Sequence, residues 1–303
     1  MARLEEAVAL REGGCRHRIV LLEGAQDAAE LDEAARLALE PFVHEERQIA
    51  LLERLGPAHK LRVWLKIDSG MHRLGFPPGD AAGAARRLAA CAAVQAPIGL
   101  ATHLARADEK ESAATEAQIR CFAEATAGLS GERSLANSAG LAAWPQARAD
   151  WVRPGIMLYG ISPFAGSTGA KFGLKPVMRF ATRVIALRVV RPGDCVGYGG
   201  TWTAQRPSRI AVAAAGYGDG YPRAAANGTP VAVNSGHAAL AGRPSMDMLT
   251  IDVTDVPGVA VGDDVELWGE SVPVERVAEH AGTIAYELTC RIGRRVALSV
   301  RGP

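Results

Sequence analysis

Between residue 16 and about residue 160, short apolar runs alternate with stretches of helical spacing. "RIVLLEG" is followed by "AAELDEAARLAL", "LRVWLKIDSG" by "AARRLAACAAV", and "PIGLATHL" by "ESAATEAQIRCFAEATAGL", before "SLANSAG" and "WVRPGIMLYG". The runs are apolar throughout instead of alternating, the pattern of strands buried on both faces, so the beat predicts βα units in a parallel sheet covered by helices. A closed barrel and a doubly wound sheet share this pattern. Polar residues recur at the carboxyl ends of the runs: Lys66 and Asp68, His103, Asn137 and Ser138, and Arg153. Barrel sites gather at that rim, which favours the barrel. The opening "MARLEEAVALREGG" begins directly in helical spacing, with Leu4, Ala7, Val8 and Leu10 on one face.

The Gly/Ser/Pro-rich stretch 162–176, "SPFAGSTGAKFGLKP", breaks this rhythm and reads as a linker. Beyond it β-branched runs are separated by turns: "ATRVIALRVV", "RIAVAAAGYGDGYP", "PVAVNSGHAAL", "MLTIDVTDV" and "DDVELWG". These predict an antiparallel β domain, interrupted by helical spacing only in "VPVERVAEHAG" and "IAYELTCRIG". The expected organisation is a (β/α) barrel domain over 1–165 and a β domain over 166–303.

With 303 residues, 48% of them hydrophobic, the chain has ample material for such cores. Its 34 Lys and Arg nearly cancel 33 Asp and Glu, and the basic residues are scattered, so no nucleic-acid partner is expected. The five cysteines include no Cys-x-x-Cys pair, which leaves no zinc-site or disulfide framework to propose and favours a reducing cytoplasm. No metal is expected. No apolar run approaches the roughly 20 residues that span a bilayer, and no secretory h-region opens the chain, so no membrane association is expected.

Several residues in this frame invite chemistry. Arg153 sits in an apolar run before Pro154-Gly155. An always-charged guanidinium there needs an anion, a ring nitrogen or a carbonyl, and a salt bridge at the barrel mouth would serve as well as a ligand. Gly155 lets backbone amides approach a ligand closely, as in phosphate cradles. Ser138 could donate to a phosphate oxygen and Asn137 fix a loop, although such residues commonly just cap a helix. His103 reads equally as a hydrogen-bonded structural histidine. Lys66, between Leu65 and Ile67, is costly as a solitary ammonium unless paired or chemically altered. Arg73, beyond the Ser69-Gly70 turn, could return to the rim to bind a carboxylate, or lie in solvent. In the β domain, "AGYGDGYPR" presents Tyr217 among glycines, and "GRPSMDM" places Met246 and Asp247 beside a turn.

Taken together, "KIDSGMHRLG", "THLARAD", "LANSAG", "RPGIMLYG", "GYGDGY" and "GRPSMDM" resemble the alanine racemase family in order and approximate spacing, over essentially the whole chain. The resemblance implies a (β/α)8 barrel followed by a β domain, pyridoxal 5'-phosphate (PLP) as cofactor, and interconversion of L- and D-alanine, for peptidoglycan or for alanine catabolism. It implies that Arg153 faces the pyridine nitrogen and that His103 orients this arginine. It places Ser138, beside Asn137, with the backbone of Gly155 and Ile156 at the phosphate. Tyr217 is similar to the family's tyrosine base, Met246 and Arg73 to its substrate-contacting residues, and Lys66 to a lysine that some members carry carbamylated. A head-to-tail homodimer with composite sites is implied as well.

The sequence also departs from that pattern. The family's Schiff-base lysine stands in a motif resembling "VVKANAYGHG", and none of Lys60, Lys66, Lys110, Lys171 and Lys175 has that context. "ARLEEAVALRE" resembles the family's segment just after the second barrel strand, so the first strands of the barrel are expected to be missing, which would leave open sheet edges. Arg294 falls where some members have a tyrosine that contacts the phosphate. Two readings follow. One is an alanine racemase whose sequence here is incomplete; the other is a non-catalytic remnant that binds PLP or pairs with an intact relative. A broad-specificity racemase is a further alternative. The β domain disfavours the barrel-only PLP-binding proteins, and the lack of a Cys-x-Ser-x-Asp motif disfavours the fold-related decarboxylases.

Overall fold

The computed structural model describes residues 1–56, 60–300 and 302. The chain divides into two compact units, Met1–Pro154 and Gly155–Pro303.

The first unit is built on parallel strands β1 (Ile19–Leu21), β2 (Leu39–Val43), β3 (Trp64–Lys66), β4 (Gly99–Ala101) and β5 (Arg133–Ser134), hydrogen-bonded in chain order as one five-stranded sheet. Trp151 continues the order through a parallel bridge to Ser134. The connections carry helices α2 (Ala28–Arg36), α3 (Glu46–Leu55), α4 (Ala81–Ala90) and α5 (Ala113–Ala125). Their apolar stripes are buried at Leu31, Ile49, Leu52, Leu88 and Phe122, while Leu65, Ile67 and Leu100 on the strand runs are fully buried too. This two-sided burial is why the strands read as unbroken apolar runs. The result is a part-barrel of the TIM type, the alternative that the polar strand ends favoured. The opening helix α1 (Leu4–Glu12) forms where its spacing placed it, but only Ala7 of its expected apolar face is buried and Leu10 is exposed. Glu40 is buried because the sheet supplies its partners: Arg18 Nε and Nη2 donate to it at 2.5 and 2.8 Å, and Trp64 Nε1 at 2.9 Å.

In the second unit, β6 (Phe180–Val190) is followed by the small pair β7 (Cys195–Val196) and β8 (Trp202–Thr203). Then come β9 (Ser208–Ala213), β10 (Pro230–Val233), β11 (Gly236–Leu240), β12 (Leu249–Asp252) and β13 (Asp264–Trp268). Six of these close an antiparallel barrel in the order β10-β11-β12-β9-β6-β13. The eleven-residue β6 closes it by pairing with both β9 and β13. The β10–β11 hairpin turns through Asn234 and Ser235 at φ of 49° and 66°, the left-handed pair that matches strand twist. Val231, Ile251, Val265, Leu267 and Trp268 fill the interior. Helices α7 (Val274–His280) and α8 (Ala285–Cys290) pack against this core through Val277 and Leu288.

The division at Pro154–Gly155 precedes the 165/166 boundary expected from composition. Ile156 and Ile161 are the physical reason, since both join the apolar cluster of the second unit. The stretch read as a linker is tied down as well: Ser162 and Gly169 donate their amides to Glu275 Oε1 at 2.9 and 2.8 Å.

Candidate active site

The carboxyl ends of β3, β4 and β5 bring one group of side chains together. Lys66 is the last residue of β3 and pairs in register with Ala101, which precedes Thr102 and His103. Arg153 follows the Trp151 bridge and its amide bonds to Ala136 O at 2.9 Å. From there its guanidinium donates to the Ser134 hydroxyl, to Thr102 O at 2.7 Å and to Leu135 O at 3.1 Å, and its Nη2 lies 3.4 Å from His103 Nδ1. Among the described residues no carboxylate pairs with it. Burial lowers Arg153 to about 10, which still leaves it charged at neutral pH.

Burial, and then the charges of Arg153, Lys66 and Arg73, push His103 down to about 3. The ring is therefore neutral, and facing an N–H donor with Nδ1 leaves its proton on Nε2. Lys66 is 6% exposed and its ammonium stands 5.6 Å from the centre of the Phe42 ring. Burial first, then Arg153 and Arg73, pull it down to about 8, with Asp68 offsetting only part. Arg73 itself is exposed on the loop after β3, and Asp68 shapes that loop by accepting the amides of Gly70, Met71 and His72, each at 3.0 Å. Burial alone would raise the Asp68 carboxyl, but the three amides outweigh it and hold it below its ordinary value.

Asn137 caps the short helix α6 (Ser138–Ala143), accepting from Gly140 N at 2.9 Å and donating to Leu104 O at 3.1 Å. Ser138 is buried and donates to Pro154 O. Asn137 thus caps the helix, whereas the Ser138 hydroxyl is engaged by the Pro154 carbonyl.

The remaining candidates belong to the second unit. Gly155 opens a 3-10 turn, Gly155–Tyr159, in which Ile156 is buried. Tyr217 opens another, Tyr217–Asp219, just beyond β9. Its amide bonds to Ser245 O at 3.0 Å and that of Gly218 to Met246 O at 2.9 Å, so the Tyr217 and Met246 turns lie backbone to backbone. Gly216 makes this approach possible, because a Cβ there would stand 2.3 Å from Ser245 O. The side chains of Tyr217 and Met246 are 37% and 53% exposed.

Sequence reasoning missed the residues that hold these groups. Ser134 and Thr102 serve Arg153, and Gln118 on α5 clasps the His103 loop by donating to His103 O at 3.1 Å and accepting from Ala105 N at 2.8 Å. Their only sequence signal is polarity inside an apolar pattern, which marks a buried partner without saying whose.

Family models for the alanine racemase N-terminal domain and the alanine racemase C-terminal domain match residues 1–163 and 177–300. The chain belongs to the alanine racemase family. It is 52% identical over 296 residues to the alanine racemase of Nitrosococcus oceani, covering 98% of this chain and 83% of that one. With the alanine racemase of Thioalkalivibrio sulfidiphilus it shares 53% identity over 300 residues, 99% and 83% of the two chains. The crystal structure of the biosynthetic alanine racemase from Pseudomonas aeruginosa superposes with a TM-score of 0.93 at 46% identity, covering 97% of this chain and 82% of that one. The alanine racemase of Bartonella henselae, solved with covalently bound pyridoxal phosphate, is similar at 29% identity and a TM-score of 0.85, again over 97% and 82%. Alanine racemases use PLP, and the donor set here suits such a ligand. Lys66, Arg73 and Arg153 concentrate positive charge at one rim, which suits an anionic ligand, and among the described residues the buried guanidinium has only neutral acceptors.

Proposed function

We propose that this protein interconverts L- and D-alanine with PLP, and that the residues identified above divide the work. The observation that carries the site assignment is the buried, carboxylate-free Arg153, held by Ser134, Thr102 O and Leu135 O beside a neutral His103. Arg153 would hold the pyridine nitrogen as a hydrogen-bond donor. At about 10 it keeps its own proton at neutral pH and would therefore leave that nitrogen unprotonated. Ser138 with the backbone of Gly155 and Ile156, and Asn137 through its cap of α6, would hold the phosphate end. When bound, PLP supplies the electron sink that makes the substrate α-hydrogen removable. Tyr217 moves that proton on one face of the α-carbon, Arg73 positions the substrate carboxylate, and Met246 contacts the substrate. Tyr217 acts in the site of a partner copy in a head-to-tail homodimer, a reading supported by its exposure in this chain.

Lys66 is the candidate for carbamylation. A carbamate forms on the neutral amine, and burial has already brought Lys66 within reach of that state at mildly alkaline pH. Carbon-13 bicarbonate should give a carbamate resonance that Lys66→Met removes, and the same resonance in the variant would exclude this site. No helix among the described residues is long and apolar enough to cross a membrane. The spacing of the five cysteines, with no Cys-x-x-Cys pair, is what favours a reducing, cytoplasmic setting in this reading.

None of the five lysines has the family's cofactor-linking context, so we propose that none of them links the cofactor and that the linking lysine belongs to sequence outside these residues. The decisive experiment is borohydride reduction of the chain with PLP, peptide mapping for pyridoxyl-lysine, and an alanine racemisation assay in parallel. The expected map is free of adduct at all five lysines. An adduct on Lys66 or another of them, with turnover, would overturn this assignment. Failure of Arg153→Glu to alter PLP binding or its absorption spectrum would overturn the site.

A further inference from the structure

Three segments meet at Arg295, beyond α8. Its Nε and Nη2 donate to the two carboxylate oxygens of Asp219 at 2.7 and 3.0 Å, and its Nη1 donates to Asp247 Oδ1 at 2.7 Å. Nη2 also reaches Met246 O at 3.2 Å, the carbonyl that already accepts Gly218 N. Asp219 passes the restraint on: its Oδ2 accepts the Gly216 amide at 2.8 Å, and its carbonyl accepts the Gly293 amide at 2.9 Å. The guanidinium lies so close to the Tyr217 turn that a Cβ on Gly218 would stand 2.6 Å from Nη2. One planar fork therefore binds the turn after Tyr217 to the turn around Met246, using a bidentate grip that a lysine cannot reproduce.

This bracing matters because it adds a side-chain tie to the backbone bonds that join the two turns. Tyr217 and Met246 are both substantially exposed, and among the described residues no hydrogen bond is made to the Tyr217 hydroxyl.

We propose that Arg295 is a positioning residue for racemisation, clamping the Tyr217 turn to the Met246 turn so that the proton-transferring hydroxyl and the substrate contact keep a fixed separation. The proposal rests on the reading of Tyr217 as the proton-transferring group. An exposed ion pair contributes little to global stability, whereas a small misplacement of a reacting group is costly in rate. The clamp therefore predicts a kinetic effect without a matching loss of stability.

The test compares Arg295→Gln and Arg295→Lys with the parent, all in the protein that carries the cofactor-linking lysine, adding Asp247→Asn as a milder cut of the same clamp. Arg206→Gln, which breaks the exposed Arg206–Asp255 pair elsewhere in the unit, is the control. Amide hydrogen exchange is read over residues 216–220 and 244–248, and racemisation is read as kcat and KM. In Arg295→Gln, exchange should accelerate in both turns but not in β10 and β11, and kcat should fall roughly tenfold to a hundredfold, more than KM rises. Arg295→Lys should recover part of the loss, Asp247→Asn should lose less, and Arg206→Gln should match the parent. Parent-like exchange in Arg295→Gln, or faster exchange with unchanged kcat, overturns the clamp. Tyr217→Phe, run alongside, separates the two ideas. Turnover retained there overturns the role of Tyr217, whereas turnover lost there with a parent-like Arg295→Gln overturns the clamp alone.

Discussion

The two units prepare their chemical groups by opposite means. In the first, Lys66, His103 and Arg153 are withdrawn from water, and their proton affinities are set by burial and by one another, with Lys66 brought to about 8 and His103 to about 3. In the second, Tyr217 and Met246 stand half in solvent, held by backbone hydrogen bonds between two turns and by the exposed fork of Arg295. Desolvation can tune a group only where water is excluded, whereas an exposed group can be held in place through its backbone. The first unit thus sets charge states and the second sets geometry, which suits a reaction that needs a fixed electrostatic environment and a proton carrier in the right place.

The most severe test of this contrast is removal of the carrier. Tyr217→Phe should reduce racemisation by about 10³-fold or more while leaving PLP affinity and the melting temperature unchanged, as assayed by coupled D-alanine oxidation and thermal denaturation. A drop in melting temperature would mean that Tyr217 is structural and that the second unit is not purely a positioning device.

Reversal of the buried charge comes next. Arg153→Glu would protonate the cofactor's ring nitrogen, lowering racemisation by about 10²-fold and raising the share of turnovers lost to transamination, as read by pyruvate formation. Unchanged partitioning would show that the guanidinium does not face that atom.

Lys66 offers a stability test whose sign follows from linkage. Between about 8 and its ordinary 10.5 the folded protein binds fewer protons at Lys66 than the unfolded chain, so stability rises with pH through that window. Below it the full cost remains. In carbon-dioxide-free buffer at pH 7, Lys66→Met should therefore stabilise the protein by about 2 kcal/mol in urea denaturation. The gain should shrink as pH approaches 10 or when bicarbonate is added. A destabilised variant at pH 7 would mean that a partner compensates the ammonium.

The smallest effect belongs to His103. A ring brought to about 3 stays neutral through the working range, so His103→Gln, which keeps an acceptor for Arg153, should cost only about fivefold in kcat/KM. It should add or remove no limb near pH 6.5. A limb there that disappears in the variant would break the claim that burial has silenced this histidine.

Much of this contrast was legible before any coordinates. The unbroken apolar runs marked strands covered on both faces, and polar residues at their ends marked one rim. Lys66 and Arg153 were conspicuous because a cation in an apolar run is expensive. Less legible were the partners. Ser134, Thr102 and Gln118 are ordinary polar residues in sequence, and they become relevant only because neighbouring strands put them beside Arg153 and the His103 loop. The opening helix shows the converse: spacing set Ala7 and Leu10 on one face, yet Ala7 is buried and Leu10 exposed. Periodicity says which residues share a face and nothing about whether that face is covered.

The sequence by itself determined the alternation of strands and helices, the change to antiparallel β structure, and the motifs that carry the family, because these follow from local spacing and residue type. Tertiary structure alone decided that Ile156 and Ile161 join the second core, that Glu275 ties down the supposed linker, that Lys66 and His103 lose proton affinity, and that Arg295 bridges Asp219 and Asp247. The reason is physical: burial and long-range pairing depend on which distant segments exclude water from a side chain, and no local pattern contains that information.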